Sequence, residues 1–247
     1  MNKFFAVLLV LLTSVVAFGQ KDSTHPAKPA KKDWSKVLLG NRSADHLMMQ
    51  FGYDNWAGRP DTIRTNGFSR SFNLYFLFDF PFKSDPRISV AAGLGIGCSN
   101  IFFDKQQVLV AALNPTLAFP DNTGSDHFKK YKLVATYLDV PLELRYAFDP
   151  EHPNSSLKLA VGAKVGALLS TYTKGKTLQN NANQTLNNFI EKESSKKYFN
   201  GTSLAATIRV SYGVFGVYGQ YQVTPFIKTN YGPPVYPFAF GIVLSGL

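Results

Sequence analysis

The feature that most constrains this chain is a run of alternating side chains from Gly67 to Phe80, because similar runs recur up to the C-terminus. From Phe72 to Phe80 every second residue is large and apolar, whereas Asn73 and Asp79 between them are polar. Successive side chains of a β-strand point to opposite faces, so the run predicts a strand with one apolar and one mostly polar face. In a water-soluble sheet the apolar face lines a core, whereas in a membrane barrel it faces lipid.

Comparable alternation in the rest of the chain gives eight predicted strands after residue 44. They are Asp45–Asn55, Gly67–Phe80, Ile88–Ser99, Tyr131–Phe148, Ser156–Thr171, Thr202–Tyr212, Val214–Val223 and Tyr236–Leu247. These segments exceed the ~5–6 residues usual in globular sheets and are long enough for the ~9–11 residues of a tilted membrane strand. One face of the third strand is nearly bare, so we expect a side chain from the opposite wall to fill that space. Pro141 predicts a bulge or locally broken pairing in the fourth strand.

The connections between these strands alternate in length, with short turns at 81–87 and 149–155 and long segments at 100–130 and 172–201. Outer-membrane barrels have short periplasmic turns and longer external loops. The sequence therefore predicts an all-β fold over residues 45–247, an eight-stranded antiparallel up-and-down transmembrane β-barrel with both termini on the periplasmic side. An exported β-sandwich or a soluble lipocalin-like barrel is the alternative, since both also give alternating strands.

The N-terminus has the features of a cleavable secretory signal peptide over residues 1–19. Lys3 is followed by an apolar run from Phe4 to Val16, and small residues at Ala17 and Gly19 precede a predicted cleavage site before Gln20. Residues 20–44 are rich in lysine and proline and are interpreted as a basic periplasmic tail. These features together predict that the mature protein is located in the cell outer membrane.

The composition narrows the class of protein further. The chain is 14% aromatic, and aromatic residues favour strands and membrane interfaces. Cys98 is the only cysteine, so no disulfide forms within the chain. The formal charge is +10 at pH 7. An exported chain does not meet nucleic acid, so we expect its basic tail either to act as a solvated linker or to contact anionic lipid head groups or an acidic partner.

The polar strand faces predict an interior filled by side chains, because an eight-stranded barrel is just wide enough to hold them. We expect a structural polar network in the lumen, with a narrow pore as the alternative. Its predicted members are Asp79, Glu143, Arg145, Lys158, Lys164 and Arg209.

No catalytic, cofactor-binding or metal-binding residues are predicted. His127 lies beside Ser125 and Asp126 in a long loop, but a catalytic triad needs groups that converge from separate places. Asp121, Asp126 and His127 are too loosely placed to define a metal site. A lipid A-modifying outer-membrane enzyme is retained only as an alternative.

Several segments carry a family resemblance, namely GFSRSFNLYFLFDFPF, AAGLGIGCSNIFFD, YLDVPLELRY and the final PFAFGIVLSGL. With them the chain resembles the PorT-like outer-membrane β-barrel proteins of Bacteroidota. The expected partners are outer-membrane lipid and lipopolysaccharide, the barrel-assembly machinery during biogenesis, and a periplasmic or secretion-system protein. The predicted role is structural or partner-binding, and the resemblance implies an accessory role in type IX secretion as the alternative.

Overall fold

The computed structural model describes residues 46–67, 69–152 and 155–246. The predicted signal peptide and basic tail lie outside the described residues. Within the described ranges, no helix is long and apolar enough to cross a membrane.

The described residues form nine β-strands, one more than the sequence predicts. They are β1 Leu47–Ala57, β2 Arg70–Pro81, β3 Ile88–Phe103, β4 His127–Ala147, β5 Leu157–Gln179, β6 Thr185–Ser194, β7 Thr202–Tyr212, β8 Phe215–Gln222 and β9 Tyr236–Ser245. The additional strand is β6, which lies inside the predicted long loop at 172–201. Strands β4 and β5 also extend beyond their predicted ends. The extended parts pair with each other, and β6 pairs with the extended part of β5.

All strand pairs are antiparallel, and the pairings close into a cycle. Following the hydrogen bonds from β1 leads through β2, β3, β4, β5, β7, β8 and β9 and back to β1. Strand β6 stands outside this ring and pairs only with the far part of β5. Closure satisfies the edge groups of the eight ring strands, so among the described strands only the β4–β5–β6 extension ends in an open edge.

Two irregularities interrupt the ladders of β4. The β3–β4 register passes from Ala92–Leu142 to Gly95–Asp139 and skips Pro141, which has no N–H to donate. This is the locally broken pairing that Pro141 predicts. The β4–β5 register shifts between Thr136 and Tyr137 instead. On β5, odd-numbered residues face outward before this shift, and even-numbered residues face outward after it.

The two faces of the ring differ as the alternation predicts. On β2, the outward Phe72, Leu74, Phe76, Phe78 and Phe80 are 37–60% exposed, whereas the residues between them are mostly buried. The glycine face of β3 is filled, but not from the opposite wall as expected. A Cβ at Gly93 or Gly95 would collide with Leu77 or Tyr75 of the adjacent strand β2. The bare face of β3 therefore accommodates two large side chains of its neighbour.

The long connections pack together over one end of the ring, in an assembly that we call the cap. The cap has an apolar core of its own, contributed by Ile63, Val108, Val110, Leu117, Tyr198, Phe199, Phe226 and Ile227, and this core is continuous with ring residues such as Trp56. Hydrogen bonds between loops add to it: the Tyr198 hydroxyl donates to the carbonyl oxygen of Ala112 at 2.6 Å. The sequence analysis identified these segments only as long loops and did not predict the cap.

Candidate functional site

A cluster of buried charges fills the interior near the short-turn end of the ring, and we call it the Glu143 cluster. Glu143 Oε2 accepts hydrogen bonds from Arg145 Nε and from Arg209 Nη2, each at 2.9 Å. Arg145 Nη1 lies 3.6 Å from Asp79 Oδ1, and Arg209 Nη1 donates to Ser245 Oγ at 3.2 Å. The four ionised groups come from β2, β4 and β7. The cluster therefore links separate walls of the ring and balances two carboxylates with two guanidinium groups.

Lys164 forms a second, separate group nearer the middle of the ring. Its Nζ lies 2.9 Å from Asp139 Oδ2 and 3.0 Å from the Tyr75 hydroxyl, which in turn donates to Asp139 Oδ2 at 3.0 Å. All three side chains are buried. Three strands, β2, β4 and β5, are joined by this triangle of hydrogen bonds.

The structure thus divides the residues predicted for the lumen network. Asp79, Glu143, Arg145 and Arg209 come together, and Lys164 lies in the other group. Lys158 is half-buried at the start of β5, in register with Ala147 and Ser211. The sequence analysis omitted Asp139 and Tyr75 from the network, although both lie on the inward-facing positions of their strands.

Above this triangle the interior contains a cavity of about 50 Å³. Its polar lining includes Asp54, Asp139, Lys164, Tyr137 and Gln220, and its apolar lining includes Trp56, Ile101 and Leu133 of the ring and Phe226 of the cap. Asp139 Oδ1, the Tyr137 hydroxyl and Gln220 Oε1 have no hydrogen-bond partner among the described residues. Since a buried water molecule needs about 10–15 Å³ and several polar partners, the cavity suits a few water molecules.

The histidine considered for catalysis lies outside the ring interior described above. The two ring nitrogens of His127 lie 3.1 Å from the Ser125 carbonyl oxygen and 3.2 Å from Asn183 Oδ1. These contacts tie the start of β4 to the β5–β6 turn. In the part of the chain that the structure describes, no three His, Cys, Asp or Glu side chains are grouped to hold a metal ion.

The sequence profile of one family, described as outer membrane protein beta-barrel domain, matches residues 37–232. The chain belongs to this family. Membership agrees with the closed antiparallel ring and accounts for its exposed apolar belt, because the outward face of an outer-membrane barrel meets lipid.

Solved structures similar to this outer-membrane barrel include two crystal structures of Ail, the attachment invasion locus protein of Yersinia pestis. One is a complex with the heparin analogue sucrose octasulfate. The identities are 13% and 12%, the TM-score is 0.32 in both cases, and each match covers 81% of this chain and 95% of the other. No curated protein matches the sequence.

Exposed aromatic side chains also lie at the short-turn end of the ring. Phe80, Phe82, Phe148 and Phe215 are 46–72% exposed there. Outer-membrane barrels carry girdles of aromatic residues at both membrane interfaces, and these exposed side chains match that pattern. The Glu143 cluster lies inside the ring near these aromatic side chains, shielded from lipid by the barrel wall.

Proposed function

We propose that the protein is an eight-stranded transmembrane barrel with a closed lumen, whose role in the outer membrane is structural or partner-binding. The eight ring strands cross the membrane, with the short turns in the periplasm. Strand β6 and the ends of β4 and β5 extend outside the cell, together with the cap.

The observation that carries this proposal is that the barrel interior is filled at successive levels. The Glu143 cluster lies toward the periplasm, the triangle of Lys164, Asp139 and Tyr75 lies above it, and the cap covers the external end. An apolar layer that includes Met48 and Leu77 packs beside the triangle. A conducting pore needs a continuous aqueous path, and the described residues of these layers occupy the interior at successive levels around the small cavity above the triangle.

The surface of the long external segments supports a binding role. The long external segments form an ordered cap and a protruding three-stranded sheet, which give a partner a fixed surface to recognise. The contacts of His127 hold two loops together, which favours a structural role for it over proton transfer. We therefore propose a protein without enzymatic activity.

Conductance measurements test the closed lumen. The purified, refolded protein is added to planar lipid bilayers, with a general porin as the positive control, and folding is verified by a heat-dependent shift in gel migration. We expect the heat-dependent shift and no discrete conductance steps. Regular single-channel steps would overturn the closed lumen, and recovery of the native protein in the soluble periplasmic fraction would overturn the membrane location.

The narrower alternative, a PorT-like accessory of type IX secretion in a bacterium of the Bacteroidota, rests on the resemblance of segments such as YLDVPLELRY at 137–146, which is specific for the barrel architecture. It predicts that deletion of the gene blocks secretion of type IX cargo while other outer-membrane proteins are inserted normally. Normal cargo secretion in the deletion strain would rule it out.

A further inference from the structure

A group of cations lies on the outward face of the barrel at its external end, and we call it the basic patch. It consists of Arg70, Lys130, Lys132, Lys174, Lys176 and Lys192. Strand register brings these residues together across the wall. Lys132 of β4 is opposite Lys174 of β5, which is opposite Lys192 of β6. The next row pairs Lys130 with Lys176.

The basic patch contains no compensating carboxylate. Among the described residues, none of its cations makes an ion pair, and Arg70 and Lys174 both repel the Lys132 ammonium. The two glutamates of β6, Glu191 and Glu193, alternate with Lys192 and so lie on the other face of the sheet, where they act on Tyr131. The extension is thus basic on its outward face and acidic on its inward face.

Aromatic and amide groups hold several of these cations against the sheet. Phe102 lies beneath the Arg70 guanidinium at 5.4 Å and the Lys132 ammonium at 5.6 Å. Lys132 Nζ also donates to Asn100 Oδ1 at 2.7 Å, and Lys192 Nζ lies 4.2 Å from the centre of the Tyr172 ring. Cation–π contacts of this kind order a cation while leaving its remaining donors available.

The height of the patch on the barrel points to its ligand. Arg70 immediately precedes the lipid-facing run on β2, two residues from Phe72 on the same face. On β4, the outward Lys132 follows the outward Leu138 and Thr136 toward the outside. The basic patch therefore begins where the apolar belt ends, which is the level of the lipid head groups.

We propose that the basic patch binds the phosphate groups of phosphorylated glycolipids in the outer leaflet. This inference rests on the transmembrane orientation in the proposed function. Charged hydrogen bonds from lysine and arginine are strong phosphate ligands, and several cations on one face match a lipid that carries more than one phosphate. Binding there fixes the barrel to its surrounding lipid on the β2–β6 side.

The test measures binding of bisphosphorylated lipid A to the full-length mature barrel in detergent, by native mass spectrometry across a lipid titration. The test variant is Lys132→Gln with Lys174→Gln and Lys192→Gln. The matched control is Lys83→Gln with Lys105→Gln and Lys196→Gln, which removes the same charge elsewhere. A further arm uses lipid A from which both phosphates have been removed, and another uses inorganic phosphate.

We expect the test variant to bind bisphosphorylated lipid A about a hundredfold more weakly, roughly fivefold for each lysine removed. The control variant should bind like the wild type, and dephosphorylated lipid A should bind weakly to all three proteins. Equal binding by the test and wild-type proteins, or wild-type binding that does not depend on the phosphates, would overturn the proposal. Saturation by inorganic phosphate at the same concentrations would also overturn it, by showing a phosphate site without lipid specificity. The heat-dependent gel shift of each variant verifies folding, and conductance independently tests the closed lumen.

Discussion

The ammonium group of Lys164 lies 2.9 Å from Oδ2 of Asp139, and both side chains are buried inside the barrel. The two residues are 25 positions apart in the sequence and lie on the paired strands β4 and β5. Burying two charges costs several kcal/mol each, and their mutual attraction offsets that cost only while both are present. The pair is therefore a sensitive test of how the interior is held together.

Replacing Asp139 with Asn should destabilise the barrel by about 3–5 kcal/mol, because the buried Lys164 loses its hydrogen-bonded counter-charge. Urea unfolding in lipid vesicles, followed by tryptophan fluorescence, measures this loss. Asp104→Asn is the control, since Asp104 is exposed in the long loop between β3 and β4. The double variant Asp139→Leu with Lys164→Met should recover much of the loss. Equal stability of the Asp139 and Asp104 variants would contradict the role given to this pair.

Adding a methyl group at Gly95 should also destabilise the barrel, for a steric reason. A Cβ at this position would collide with the Leu74 carbonyl oxygen and the Tyr75 ring. Overpacking of this kind costs about 1–3 kcal/mol, and displacement of Tyr75 would weaken its bond to Asp139. Gly201→Ala is the matched control, because nothing lies within 4 Å of a Cβ there. If Gly95→Ala and the control variant unfold at the same urea concentration, β2 accommodates the added methyl group without loss of stability.

The strands of the ring could be predicted from the sequence because each has one face in lipid and one in the interior. A strict period of two then follows, as from Phe72 to Phe80. Strand β6 lacks this constraint: both of its faces are exposed, so its sequence TLNNFIEKES carries no alternation. Strand β6 forms because it pairs with β5, and its own sequence does not indicate this pairing.

The interior contacts were predictable only in part for a related reason. Inward positions such as Glu143 and Arg209 are visible from the alternation, but their neighbours depend on strand register. The register shift between Thr136 and Tyr137 and the skipped pair at Pro141 alter which residues meet. The cap was missed because its apolar residues, such as Val108 and Ile227, are irregularly spaced in long loops.

Exposed apolar residues on the barrel wall and in the loops should respond differently to a charge. Phe76 is 49% exposed near the middle of β2, and Leu113 is 95% exposed in the long loop between β3 and β4. Phe76→Arg places a charge in lipid and should cost about 2–4 kcal/mol, whereas Leu113→Arg should be nearly neutral. Unfolding midpoints in vesicles compare the two. Similar midpoints would show that the belt containing Phe76 is not embedded in lipid.

The loop at 104–126, between β3 and β4, provides a prediction about pH. Hydrogen bonds from the Thr123 hydroxyl and backbone N–H, together with the Arg64 guanidinium, lower the pKa of Asp121 from its ordinary value of 3.8 to about 2. A lowered pKa means that the ionised form is favoured in the fold, so its contribution is complete above about pH 4 and is lost as the pH falls through about 2. The chemical shift of the Asp121 carboxyl carbon, followed by NMR in detergent micelles, should therefore titrate near pH 2. Thr123→Val should move the midpoint back toward 3.8, and Arg64→Met should do so to a smaller extent, because the bond from the Thr123 hydroxyl is the largest single cause. An unchanged midpoint in Thr123→Val would show that another group holds the carboxylate.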